Sequence, residues 1–250
     1  PWVQSDETRM PDANITAVRI EPMNAGAGII NLTTVSNIAA RWCYGTNTTS
    51  GCADRTIQNN PGLYYVLNKD ASGNYLNPTQ SANYTRYNVN LTGSTFPKSV
   101  SRIDCTSLTN ACSLAEEQKN FANWFQYYRV RILMAKAALA ESFLGQTDLY
   151  RIGWGRINKG NSSIDGVNTR VVEQGVRDLT QSHKDALYDW IFNTVQPTGS
   201  TPLRIALDTV GKYYERSDNR GPWSENPATG ANTAHLTCRR AYNILTTDGF

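Results

Sequence analysis

The sequence predicts an α/β fold: a mainly parallel sheet flanked by helices over residues 113–250, preceded by a loop- and strand-rich segment over 1–112. Three observations predict it. Residues 113–250 read in the order helix, strand, helix, helix, strand. Residues 1–112 carry only fifteen charged side chains, with short apolar or alternating runs at 15–20, 63–67 and 84–91 between turn formers such as Asn60-Pro61-Gly62 and Ser72-Gly73-Asn74. The last apolar run, 241–247, ends at Asp248-Gly249, where a strand would deliver a carboxylate to the edge of a sheet.

The elements follow in order. Ser113 with Glu116 forms a capping box. From there Phe121, Phe125, Tyr128, Ile132, Ala135, Leu139 and Phe143 keep a helical stripe as far as Gly145, which predicts one long helix near 114–144. Tyr150 to Asn158 reads as a strand, whose Gly153 and Gly155 allow a neighbouring backbone or helix to approach closely. Residues 159–181 read as loop or a small hairpin. Ser182 with Asp185 predicts a second capping box, and Leu187, Trp190, Ile191 and Val195 face one way until Pro197. Thr201 or Ser200 can cap the next helix, with Pro202 at its first position and Leu203, Ala206, Leu207, Val210 and Tyr214 as its stripe. Residues 215–237 are a polar loop, and 241–247 is the final strand. The long helix is expected to pack on the sheet containing Ile152 and Ile244.

Composition excludes some classes. The net charge is +3 with 18% charged residues, and no basic stripe suggests a nucleic-acid partner. No apolar run reaches membrane-spanning length, so no membrane insertion is expected. The start at Pro1-Trp2 has no signal-peptide pattern and reads as that of an excised piece. Cys43 with Cys52, and Cys105 with Cys112, each flank a short polar loop, which suits disulfides in an exported chain. The plain alternative is four unrelated free thiols. Cys238 is left over. No CxxC spacing favours zinc, and His235 three residues before Cys238 is too little for a site in a chain with two histidines. Neither His183 nor His235 stands in a hydrolytic motif, no glycine-rich phosphate loop is present, and no enzyme activity is expected. His183, early in a helix, is expected to face solvent.

Several strings in fixed order say more than any one of them. They are Asn120-Phe121-Ala122-Asn123-Trp124-Phe125-Gln126-Tyr127-Tyr128-Arg129, then Ala135-Lys136, then Arg151-Ile152-Gly153-Trp154-Gly155-Arg156-Ile157-Asn158, then Pro197-Thr198-Gly199-Ser200-Thr201-Pro202-Leu203-Arg204, then Cys238-Arg239 through Leu245-Thr246-Thr247-Asp248-Gly249-Phe250. In this order they resemble the von Willebrand factor A-like part of the PilY/PilC family of type IV pilus tip-associated adhesins, over about residues 113–250. The resemblance implies a Rossmann-type sheet and a metal-binding constellation for Mg²⁺ or another divalent cation. Thr201 and Asp248 would be its second and third parts. Each also has an ordinary reading: Thr201 as a helix cap, Asp248 as a turn former.

The first part of such a site, Asp-x-Ser-x-Ser on the first central strand, is missing. The nearest string, Asp70-Ala71-Ser72-Gly73-Asn74, ends in Asn within a turn; the family pattern would place the true strand just upstream of Pro1. The fold is therefore expected to lack its first central strand, with 1–112 as an insertion. Mg²⁺ would be held only if residues outside this chain complete the site. The resemblance further implies an exported protein, reaching the pilus tip through the periplasm. Its partners would be minor pilins and surface or host ligands, and its roles pilus assembly, attachment, twitching motility and surface sensing. The rival expectation is a structural scaffold in an exported assembly with no working metal site.

Overall fold

The computed structural model describes residues 1–34, 36–43, 52–59, 61–195, 199–231 and 234–247, with the side chains of 36–43 and 52–59 left out. They form a mixed helix-and-strand structure that groups into two compact units. The first comprises residues 1–2 and 9–134, the second 3–8 and 135 onward.

The first unit is built from antiparallel pairs. β1 (Val18–Glu21) pairs with β2 (Asn24–Ile30), and β3 (Ser36–Cys43) with β4 (Cys52–Asn59). β5 (Leu63–Leu67) pairs with β6 (Tyr84–Asn88), and β7 (Phe96–Pro97) with β8 (Ala111–Cys112). The helix α1 (Leu114–Tyr127) follows, opened by the predicted Ser113–Glu116 capping box. Trp2, Val18, Leu32, Val89, Phe96, Phe121 and Tyr127 are buried. Stacked rings of Tyr64, Tyr87 and Phe121 line the same unit.

One face of α1 is polar and buried. The side chain of Asn123 accepts from the Ala13 amide at 2.8 Å and donates to Asp12 at 2.7 Å. Gln126 accepts from the Arg19 amide at 2.9 Å, Tyr127 donates to the Pro11 carbonyl at 2.8 Å, and the Trp2 indole donates to the Tyr127 carbonyl at 2.8 Å. The Ala13 and Arg19 amides and the Pro11 carbonyl are thus satisfied by side chains of α1.

The long helix expected over 114–144 is two helices, α1 and α2 (Arg131–Ser142). The break has a cause in Arg129. Its guanidinium lies over the Phe125 ring at 4.9 Å and donates to the Phe125 carbonyl at 2.9 Å, taking an acceptor that a continuing helix would give to a backbone amide. The helical phase resets across it. Leu133, Ala137 and Ala140 are the buried face of α2, while Leu139 of the predicted stripe is exposed.

In the second unit β9 (Arg151–Gly155) falls within the predicted strand, and 159–181 contains the hairpin β10 (Ser162–Ile164) and β11 (Val167–Thr169) before β12 (Val172–Asp178). β12 pairs antiparallel with β9. The glycines of β9 serve a close backbone approach: a Cβ on Gly155 would lie 2.0 Å from the Val171 carbonyl oxygen, and one on Gly153 would lie 2.8 Å from that of Gln174. Helix α3 (Gln181–Asp189) runs into a π-helical turn (Trp190–Thr194), and α4 (Leu203–Tyr214) follows. The cap of α3 is Thr180, whose hydroxyl accepts from the His183 amide at 3.3 Å, rather than Ser182.

The expected parallel sheet does not occur among the described residues, where every strand pair is antiparallel and each sheet has two strands. A parallel pair needs a crossover of a dozen or more residues, usually a helix. Between β9 and β12 the chain spends its residues on a β-hairpin instead. Residues 241–247 form no strand, and Ile244 is 89% exposed, so the expected packing of a helix on Ile244 is absent. An apolar run becomes a strand only where a neighbouring strand takes its backbone groups; no ladder among the described residues includes 241–247.

Candidate functional site

The loop before α4 is the described part of the site expected from sequence. Gly199 has a positive φ of 83°, and a Cβ there would lie 3.2 Å from the Asn158 amide nitrogen. That amide donates to the Ser200 carbonyl at 3.2 Å and lies 3.5 Å from its hydroxyl. The Arg151–Asn158 and Pro197–Arg204 strings therefore meet through Asn158 and Ser200. Beside Asn158, the buried Lys159 donates to the Thr169 carbonyl at 3.1 Å, to the Gly160 carbonyl and to the Ser162 hydroxyl, and burial pulls its pKa down.

Thr201 is exposed and does not cap α4. Pro202 occupies the cap position, no side chain caps the helix, and the Leu203 amide bonds the Thr201 carbonyl at 2.9 Å. The Thr201 hydroxyl is thus not committed to capping. Asp248 lies outside the described residues. Around Thr201 an open groove is lined by Pro202, Leu203, Arg204, Ile205 and Asp208. Asp208 pairs with Lys212 at 2.7 Å, and Arg204 brings a positive charge into the groove. A hard divalent cation wants several oxygen ligands, and these residues alone do not supply them.

Among the described residues one trio of potential ligands stands within ligating reach: Cys105, Cys112 and Glu117. It does not fit a metal, because the two sulfurs are bonded to each other in the predicted disulfide and Glu117 is held by Arg102 at 2.9 Å. The disulfide closes a loop organised by Glu116. That carboxylate accepts from the amides of Thr106 (2.6 Å), Ser107 (2.8 Å) and Ser113 (3.0 Å) and from both serine hydroxyls, so its pKa is driven far below the usual range. Cys43 and Cys52 face each other as the last register pair of β3 and β4; their side chains lie outside those described. Cys238 is exposed and has no disulfide partner among the described residues. Asp70 spends its carboxylate on its own turn, accepting from the amides of Ser72 and Asn74 at 2.9 Å.

His183 does not face solvent as expected. Its ring packs on Trp154 at 4.8 Å, and its Nε2 lies 2.9 Å from the Ile152 carbonyl, which fixes that nitrogen as the donor. Burial first of all lowers its pKa.

One cluster escaped sequence reasoning. Asp165 and Gly166 are the two central residues of the β10–β11 turn, with φ of 53° and 83°. Asp-Gly is the pair that such a two-residue hairpin prefers, and this was the signal available. The Asp165 carboxylate turns inward to pair with Arg177, and its carbonyl accepts from Arg216 at 2.7 Å. Arg216 is also held by Asp218, at 2.8 Å from both Nε and Nη2.

The strings that meet at Asn158 and Ser200 lie in a chain that is similar to curated type IV pilus biogenesis factors. The relatives are PilY1 proteins of Pseudomonas aeruginosa. That of strain PAK is 31% identical over 151 residues, covering 58% of this chain and 13% of the relative. That of strain UCBPP-PA14 is 32% identical over 134 residues, covering 53% of this chain and 11% of the relative. A third, from strain PAO1, is 29% identical over 166 residues, 65% of this chain and 14% of the relative. These matches support a PilY1-like relationship, and the chain spans about an eighth of the length of the relatives. No protein-family model matches the chain, and no solved structure matches it. No described helix is long and apolar enough to cross a membrane.

Proposed function

We propose that this chain is an adhesion and binding module of a type IV pilus biogenesis protein, acting at the pilus tip after export through the periplasm. The observation that carries the reading is the similarity to PilY1 over 151 residues. Its partners are minor pilins and surface or host ligands, and its work bears on pilus assembly, twitching motility and surface sensing. A von Willebrand factor A-like metal site belongs to the proposal: Thr201 supplies a hydroxyl, Asp248 a carboxylate, and groups outside this chain complete the shell. An exposed Thr201 hydroxyl that caps no helix supports that role.

The second reading is a structural scaffold without a working metal site. It is favoured by the groove around Thr201, where Arg204 and the Lys212-paired Asp208 make a poor cation shell. Calorimetric titration of the whole secreted protein with Mg²⁺ separates the two. The adhesion reading expects binding that weakens strongly in Asp248→Ala and less in Thr201→Ala, since a neutral hydroxyl is the lesser ligand. Binding that is absent, or indifferent to both substitutions, would leave only the scaffold.

A further inference from the structure

We propose that Asp165, Tyr213 and Arg216 form a buried binding site for a single water molecule. The side chains of Asp165 and Arg216 are 8% and 9% exposed. Yet Asp165 Oδ2 and Arg216 Nη1 are both buried and have no hydrogen-bond partner among the described residues. Buried polar groups are almost always paired, by protein or by ordered water.

The other polar atoms of both side chains are engaged elsewhere. Arg216 is gripped at Nε and Nη2 by Asp218 and at Nη2 by the Asp165 carbonyl, so its planar fork cannot rotate Nη1 without giving up those bonds. Asp165 is fixed by Arg177 at Oδ1 and by the turn it forms with Gly166. Tyr213 is fixed because its hydroxyl oxygen accepts from the Val176 amide at 2.8 Å, which leaves the hydroxyl proton to be donated elsewhere.

Asp165 Oδ2 and the Tyr213 hydroxyl border one place. A Cβ on Gly175 would lie 1.9 Å from Asp165 Oδ2 and 2.8 Å from the Tyr213 hydroxyl. Arg216 joins them through Nη2, one carbon away from Nη1, on the Asp165 carbonyl. The chemistry of the site selects its occupant. Two guanidinium groups disfavour a cation, and the carboxylate disfavours an anion. A neutral molecule that both donates and accepts fits, and water with two to four polar partners is the smallest such molecule. It would accept from Arg216 Nη1 and from the Tyr213 hydroxyl and donate to Asp165 Oδ2.

A crystal structure of the chain at a resolution that shows ordered water tests this. The expected result is one density peak within hydrogen-bond reach of Asp165 Oδ2 and of at least one of Tyr213 Oη and Arg216 Nη1. A direct contact between Nη1 and Oδ2, a peak that touches Asp165 alone, or no peak would each overturn the proposal.

Discussion

The Asp165 carboxylate lies on the bare Cα of Gly175, so close that a Cβ there would stand 1.9 Å from Oδ2. The pair joins the tip of the β10–β11 turn to the middle of β12. Gly175→Ala must push Asp165 off Arg177 or bend β12, and should cost about 1–3 kcal/mol, as overpacking does. Urea unfolding checks it. Gly160→Ala, where a Cβ meets nothing within 4 Å, is the matched control and should change little. Equal effects from the two would contradict the packing.

Gly211 offers the opposite case. It sits inside α4, exposed, with nothing within 4 Å of an added Cβ. Gly211→Ala should stabilise by roughly 0.5–1 kcal/mol, because glycine loses the most backbone freedom in a helix. The midpoint of thermal unfolding should rise; a fall would mean that α4 packs differently there.

Asn123 is the buried polar anchor between α1 and the segment at Asp12–Ala13. Asn123→Leu should cost about 1–3 kcal/mol, since the Ala13 amide loses its acceptor. Denaturant unfolding would show this as a lower midpoint with an unchanged slope.

Two titrations should bear on stability in the same direction. The folded-state pKa of Glu116 is depressed by its serine and backbone donors. Its contribution is therefore present above the ordinary glutamate value and is lost as pH falls through the folded value. His183 is depressed as well, by burial. The folded state resists protonating it, so stability falls as pH drops below the ordinary histidine range. NMR titration should place the His183 midpoint below 6.5, the value of a free histidine. In Glu116→Gln the amides of Thr106 and Ser107 should exchange faster at neutral pH, and their acid dependence should flatten.

Cys105–Cys112 closes a loop with a sequence separation of 7 and should contribute about 2.5 kcal/mol in the chain-entropy account. Cys43–Cys52 is expected as a second disulfide, between directly opposed positions of β3 and β4. Mass spectrometry of a non-reducing digest reads both, and free thiols at 43 and 52 would refute the second.

How much was legible depended on how local the cause was. The Ser113–Glu116 box, the Cys105–Cys112 pair and the β9 strand are set by residues near one another, and sequence showed them. The break at Tyr128–Val130 was hidden because it turns on a side chain, Arg129, taking a backbone carbonyl. The stripe chosen across it, Ile132 and Leu139, ran one residue out of phase with the buried Leu133, Ala137 and Ala140. The run 241–247 reads as a strand by composition, but strand formation needs a partner that composition does not reveal. Of the candidate metal site, Thr201 was found in a loop before a helix as expected, but exposed and without a capping role. The Asp165 cluster was missed because its members are spread from 165 to 218, and only the Asp-Gly turn marks it in sequence.

The proposed adhesion role would have this chain give a pilus-bearing cell its hold on a surface. The most direct measurement replaces the gene in the producing bacterium with one lacking residues 135–247, then counts surface pili and attached cells on the same culture. The account predicts fewer surface pili and, per pilus, attachment reduced at least about tenfold, a loss of about 1.4 kcal/mol if read as a binding equilibrium. Attachment per pilus at the parental level would contradict it.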